Sequence, residues 1–137
     1  MLNRRHLLGA LALTSAAALS AALPLAAPAF AMEKKPFNAK AFEAAQAAGN
    51  SILIEVHAPW CPTCKAQEPI LARLSRQPKF KDMVRFNVDF DSQKALLRQF
   101  NVRMQSTLIV FKGKREVGRS TGDTSAGSIE ALLAKAI

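Results

Sequence analysis

The chain has no tyrosine, one tryptophan, two histidines and two cysteines in 137 residues. Two cysteines exclude the multi-bridge framework of small disulfide-stapled domains. With only His57 close by in sequence, they also fall short of the four ligands of a structural zinc site. Acidic side chains are scarce, 10 against 19 basic ones, for a formal net charge of +9. That excess is no nucleic-acid footprint, because it forms no Arg-rich cluster and no aromatic residues are interleaved with it. It fits encounter with acidic partners or anionic surfaces, or a plain solvated face. Beyond residue 31 there are no repeats and no low-complexity linkers.

Charge is missing altogether from Leu7 to Ala31, an Ala/Leu-rich run ending Pro28-Ala29-Phe30-Ala31, while Arg4 and Arg5 sit just ahead of it. Basic head, apolar middle and small-residue exit describe a secretory signal peptide over residues 1–31, cleaved after Ala31. Asn3-Arg4-Arg5-His6-Leu7-Leu8 also resembles a twin-arginine export signal, with Asn3 where Ser or Thr is usual. An uncleaved membrane anchor is the competing reading, since the run is long enough to span a bilayer. Against it, Pro24 and Pro28 interrupt its end and alanine makes it only weakly hydrophobic. Cleavage leaves residues 32–137, the length of one domain with one core. The expected location is the periplasm, where a thiol pair either makes disulfides or must be supplied with electrons, for instance by a membrane donor.

In that remainder the apolar periodicity predicts alternating strands and helices. A short edge strand near Phe37 precedes a helix capped by Asn38, running through Phe42, Ala45 and Ala48 and stopped by Gly49. Ser51–His57 is a buried strand, and a helix from about Cys61 to Arg76 turns Ile70, Leu71 and Leu74 inward, with Pro69 inside it. Val84–Val88 is a second strand. Asp91 or Ser92 caps a third helix carrying Ala95, Leu96 and Phe100. Thr107–Phe111 and Glu116–Ser120 form a hairpin about Gly113, and Ser125 opens a last helix with Ile129, Leu132, Leu133 and Ile137 inward. From Ser51 onward the order is βαβαββα, an α/β mixed sheet covered by helices on both faces.

Between the first buried strand and its helix stands Trp60-Cys61-Pro62-Thr63-Cys64, holding both cysteines and the only tryptophan. A helix starting at Cys61 sets its sulfur beside unpaired N–H groups and the positive end of the macrodipole, which favour a thiolate. Cys64 follows one turn later, placed to attack a mixed disulfide at Cys61. Half a metal site and a structural staple are the alternatives, although so short a loop removes little unfolded-state entropy.

Strand, Trp-Cys-x-x-Cys, helix proline and closing hairpin together resemble the thioredoxin family over Phe37–Ile137, which implies a thioredoxin-like fold. Ala58, Trp60, Cys61, Cys64, Lys65 and Pro69 match its Ala-x-Trp-Cys-x-x-Cys-Lys and helix proline. Glu55 stands where the family keeps a buried Asp beneath the thiols, Arg85 at a nearby Lys, and Gly122 at a glycine lining the substrate groove. The resemblance implies a thiol–disulfide oxidoreductase acting on protein substrates with thiols or disulfides and needing no cofactor. Cys61 and Cys64 are then the catalytic redox pair. Glu55 passes a proton to Cys64 or pairs with Arg85. Trp60, Gln105, Ser106 and Gly122 bind substrate.

Three departures stand out. Pro-Thr separates the cysteines where the family has Gly-Pro, which leaves the direction, oxidation or reduction, open. His57 replaces an aromatic residue, as a packing side chain or a modulator of the thiolate. Ser106 replaces the proline that the family holds cis. A cis bond costs about 2.5 to 4 kcal/mol before a residue other than proline, so the Gln105–Ser106 bond is expected to be trans. The exchange is expected to alter peptide recognition through Gln105 and to open the reduced thiols, with His57, to a soft metal. A metal-binding or metal-delivery module is therefore the second functional reading.

Overall fold

Residues 32–137, the part of the chain that the computed structural model describes, sort their apolar side chains into two cores on opposite faces of one sheet. The expected signal peptide and its cleavage point after Ala31 lie outside the described residues. The elements follow in the order β1 (Lys34–Pro36), α1 (Ala39–Ala47), β2 (Ser51–His57), α2 (Pro62–Leu74), a 3₁₀ turn (Pro78–Phe80), β3 (Val84–Asp89), α3 (Lys94–Gln99), β4 (Thr107–Lys112), β5 (Arg115–Thr121) and α4 (Ala126–Ala134). Across the sheet the strands lie β1-β3-β2-β4-β5, with β1 and β2 parallel to β3, and β4 antiparallel to both β2 and β5.

β2 is the centre of this sheet and is buried along all but its last residue, His57. A continuous apolar run is what a strand covered on both faces needs. Because successive side chains alternate, Leu53 joins Leu71 and Leu74 of α2 and Ile129 and Leu133 of α4. Ile52, Ile54 and Val56 join Phe42 of α1, Phe86 of β3 and Leu97 of α3 on the opposite face. The same alternation puts Glu55 and His57 on the α2 side of the sheet, and the site is built there.

The expected mixed sheet with helices on both faces is present, with differences at its margins. The edge strand stops at Pro36, just short of Phe37. α2 begins at Pro62 with Cys61 as its N-cap, and ends at Leu74 rather than Arg76. α3 starts at Lys94, with Gln93 at the cap position and no side-chain cap bond. Neither Asp91 nor Ser92 caps it, because the Asp89 carboxylate takes the N–H groups of both and the Ser92 hydroxyl, tying them into a turn ahead of the helix. With that later start Leu97 points inward and Ala95 faces solvent. α4 ends at Ala134, so Ala136 fills the core and Ile137, expected inside, is 61 % exposed.

Phe42 sits among the rings of Phe37, Phe86, Phe100 and Phe111, with centroids 5.4 to 6.0 Å away. Phe42→Ala should therefore cost about 3 to 5 kcal/mol of unfolding free energy, whereas Ile137→Ala should stay within about 0.5 kcal/mol of the parent. Urea denaturation of the two variants checks both values.

Candidate active site at the start of the second helix

β2 delivers the chain to Ala58, whose carbonyl accepts the Cys61 N–H at 3.1 Å and so closes a tight turn over Pro59 and Trp60. Cys61 keeps extended backbone, φ −82° and ψ 116°, as a helix N-cap does. Pro62 follows at the first helical position, where the N–H it lacks would have had no partner. The Cys61 sulfur then accepts the Cys64 N–H at 3.2 Å, taking the role a serine or aspartate oxygen fills at other helix starts. One turn on, Cys64 lies on the buried stripe of α2 with Gln67, Leu71 and Leu74. Both cysteines are free thiols and both are 1 % exposed, with Phe90 packed against them and Ala58.

Ser106 meets this pair from the loop that enters β4. Its hydroxyl lies 3.1 Å from Cys61 Sγ and 3.1 Å from Cys64 Sγ. Its peptide bond to Gln105 is trans, as expected. Its φ, however, is +61°, a left-handed conformation that costs a residue with a Cβ on the order of 1 to 3 kcal/mol. Three hydrogen bonds hold it there. The Ser106 N–H donates to the Val56 carbonyl at 2.9 Å, and its own carbonyl accepts from Gln67 Nε2 at 3.2 Å and from the Gly122 N–H at 3.0 Å. Gly122 adopts a φ of +73°, where glycine is free of the Cβ clash. Its visible part here is thus to clamp the Ser106 backbone.

These surroundings drive the two thiols apart. Burial raises the Cys61 pKa, but hydrogen bonds from the Ser106 hydroxyl, the Cys64 thiol and the backbone of Cys64 and Thr63 outweigh it, bringing the thiol from 9.0 down to about 7. Cys64 moves the other way. Burial pushes it above its ordinary value, against lowering by the Ser106 hydroxyl and, less, the Ala58 backbone, while the Cys61 sulfur adds to the rise through its hydrogen bond and, least, its charge. The arrangement can hold one thiolate and one thiol side by side.

Glu55 is buried beneath, bound by Arg85 through Nε at 2.8 Å and Nη2 at 2.6 Å, with Lys34 Nζ 3.5 Å away. The ion pair with Arg85, one of the two expected roles of Glu55, is formed. Lys34 also donates to Glu68 at 2.9 Å, which holds that carboxyl below its usual range, and His57 Nε2 comes within 4.0 Å of Glu68. Among the described residues no group of three or more His, Cys, Asp and Glu side chains could hold a metal ion. His57 sits with Glu68, and a metal on the two thiols would need ligands from outside them.

Trp60, 55 % exposed, is fixed by its Nε1, which donates to Asp91 at 2.8 Å. Met104, 57 % exposed, stands on the loop before Ser106, and Gln105 is half-buried beside it. Gln67, Phe90, Lys34 and Glu68 join the site without being expected there from sequence. Gln67 alone carries a signal, being a polar residue three after Cys64 on a helix face otherwise apolar.

The model of the family described as "Thioredoxin" matches residues 33–135. The chain belongs to the thioredoxin family. Thioredoxins are thiol–disulfide oxidoreductases, and the adjacent free thiols of Cys61 and Cys64 are the feature of this chain that such chemistry uses. Over 93 residues it is 32 % identical to a thioredoxin H-type of Brassica campestris, covering 68 % of this chain and 73 % of the relative. The solved structure of Trxlp from Edwardsiella tarda EIB202 is 46 % identical with a TM-score of 0.72, covering 74 % of this chain and 98 % of that one. A Malassezia sympodialis thioredoxin, 20 % identical with a TM-score of 0.65 over 74 % of this chain and 90 % of its own, shares the fold.

The charges of the site lead to two predictions. Arg85→Met leaves Glu55 buried without its main partner, and urea unfolding should show a loss of about 3 to 5 kcal/mol. The second concerns pH. A thiol whose pKa is lowered on folding stabilises the folded state fully above its unfolded value and loses that stabilisation as pH falls through the folded value. Reduced protein should therefore gain stability relative to its disulfide form as pH rises from about 7 to 9. Above 9 the raised Cys64 thiol opposes the gain. A flat difference between the two redox forms across that window would contradict the assignment.

Proposed function

We propose that this thioredoxin-family chain is an exported thiol–disulfide oxidoreductase that exchanges disulfides with protein substrates through Cys61-Pro62-Thr63-Cys64, with Cys61 as nucleophile and Cys64 as resolving thiol. The observation that carries this reading is the split between the two thiols: only the Cys61 sulfur caps the helix and is brought to about 7. When the pair acts as reductant, the Cys61 thiolate attacks a partner disulfide and expels one partner sulfur. Cys64 then gives up its proton, attacks Cys61 Sγ and releases the second partner sulfur, leaving the Cys61–Cys64 disulfide. The reverse sequence oxidises a partner dithiol. Trp60 and Met104 supply exposed apolar surface for a substrate chain beside otherwise buried sulfurs, with Gln105 between Met104 and Ser106.

Glu55 enters as the buried carboxylate on the thiol side of β2, proposed as proton acceptor for Cys64 in addition to its pairing with Arg85. Glu55→Gln separates the roles: slower resolution with an altered pH profile assigns proton transfer, and lost stability alone assigns the ion pair.

Export rests on residues 1–31, and location in the periplasm follows from it. No helix among the described residues is long and apolar enough to cross a membrane. A membrane electron donor is required only if the pair works as a reductant. Alkylation trapping in intact cells reads the working state, reduced for a reductase and oxidised for an oxidase. For the roles of the two sulfurs, Cys64→Ser should accumulate mixed disulfides through Cys61 and Cys61→Ser should not. Equal trapping by both variants on non-reducing gels would refute the assignment.

A further inference from the structure

Ser106 offers one hydroxyl to two sulfurs at once, and its redox consequence rests on the thiol–disulfide reading proposed for Cys61 and Cys64. The residue is 2 % exposed, so solvent has little access to replace either partner. A hydroxyl has one proton to donate and lone pairs with which to accept. In the reduced protein the hydroxyl lies 3.1 Å from each sulfur, and its O–H donates to the Cys61 thiolate, which has no proton of its own to give and also takes the S–H of Cys64. Oxidation removes the thiolate charge and the thiol proton together. A disulfide offers only weak, neutral acceptor sulfurs, so the buried hydroxyl loses its charge-assisted bond on oxidation.

The hydroxyl cannot readily retreat. The three hydrogen bonds to Val56, Gln67 and Gly122 fix the Ser106 backbone at φ +61°, and its side chain is left with χ1 alone. A group that binds one state better than another shifts the equilibrium by its differential affinity.

We propose that the Ser106 hydroxyl is a redox-poising group: by bonding to the dithiol form more strongly than to the disulfide, it biases Cys61–Cys64 toward accepting electrons, and so toward donating disulfides to substrate thiols. In that direction a substrate thiolate attacks Cys61 Sγ, the Cys61–Cys64 bond breaks, and Cys64 leaves as thiolate. A second substrate thiol transfers its proton to Cys64 and attacks the substrate sulfur of the mixed disulfide. The substrate disulfide forms, and Cys61 departs as the thiolate that the Ser106 O–H receives. Two electrons pass from the substrate sulfurs to the protein pair, and the thiolate charge and proton that entered with the substrate remain on Cys61 and Cys64.

The test equilibrates the wild type, Ser106→Gly and Ser106→Ala with glutathione redox buffers and measures the reduced fraction by the mass gained on alkylation. Both variants remove the hydroxyl, glycine accepting the left-handed backbone without strain and alanine keeping the Cβ of serine. Each should move the equilibrium about tenfold toward the disulfide, equal to a potential lower by about 30 mV. Thermal unfolding of each protein in both redox states supplies the second readout. Loss of the hydroxyl should lower the stability of the reduced form relative to the oxidised one, whereas a merely structural serine would change both alike. An unchanged equilibrium in Ser106→Gly, with the wild type cycling normally, overturns this inference alone. A wild type that forms no reversible Cys61–Cys64 disulfide overturns the reading beneath it.

Discussion

Four segments of the fold converge on the hydroxyl and peptide group of Ser106. β2 accepts its N–H through Val56, α2 supplies Cys64 and Gln67 with Cys61 at its cap, the loop into β4 carries the residue itself, and the turn after β5 adds the Gly122 N–H. Burial by itself pushes a thiol pKa up. At Cys61 the hydrogen bonds from Ser106 and from the helix start win, and at Cys64 burial wins. Two chemically identical side chains thus acquire different states from positions one helical turn apart.

Below the thiols lies a second set of polar groups with different energetics. Glu55 and Arg85 are both buried and bonded through two nitrogens of the guanidinium, so their desolvation is offset by short, charge-assisted contacts. Such a pair adds little net stability compared with apolar residues of the same size, yet removing one partner strands the other. Lys34 extends the set from β1 to Glu68 on the exposed side of α2, with His57 at its rim. The first strand of the domain thereby reaches the helix that carries the thiols.

How much of this is legible in the residues depends on whether the deciding contact is local. β2 and β4 are plain as continuous apolar runs, α1 from its Asn38 cap and Gly49 stop, and the thiol pair from its spacing. The start of α3 is not, because Asp89, Asp91 and Ser92 are all competent to accept amide protons, and only the fold directs those bonds to Asp89. Helical spacing places Ile137 inside, and that spacing no longer applies once α4 ends at Ala134. Phe90, Lys34 and Glu68 join the site through tertiary contacts that no periodicity encodes, whereas Gln67 stands out as a polar residue on the apolar face of α2. Family position brings Ser106 near the sulfurs. Its left-handed backbone is not legible, since serine has no preference for it and long-range hydrogen bonds impose it.

The split between the two thiols underlies both the assignment of Cys61 as nucleophile and the part given to Ser106, and it can be observed at each sulfur separately. A pH titration of the reduced protein, following the Cβ carbon resonances of Cys61 and Cys64 by NMR, measures it most directly. The account predicts an inflection near 7 at Cys61 and none at Cys64 until pH exceeds 9. Two thiols titrating together near 9, or Cys64 ionising first, would contradict it.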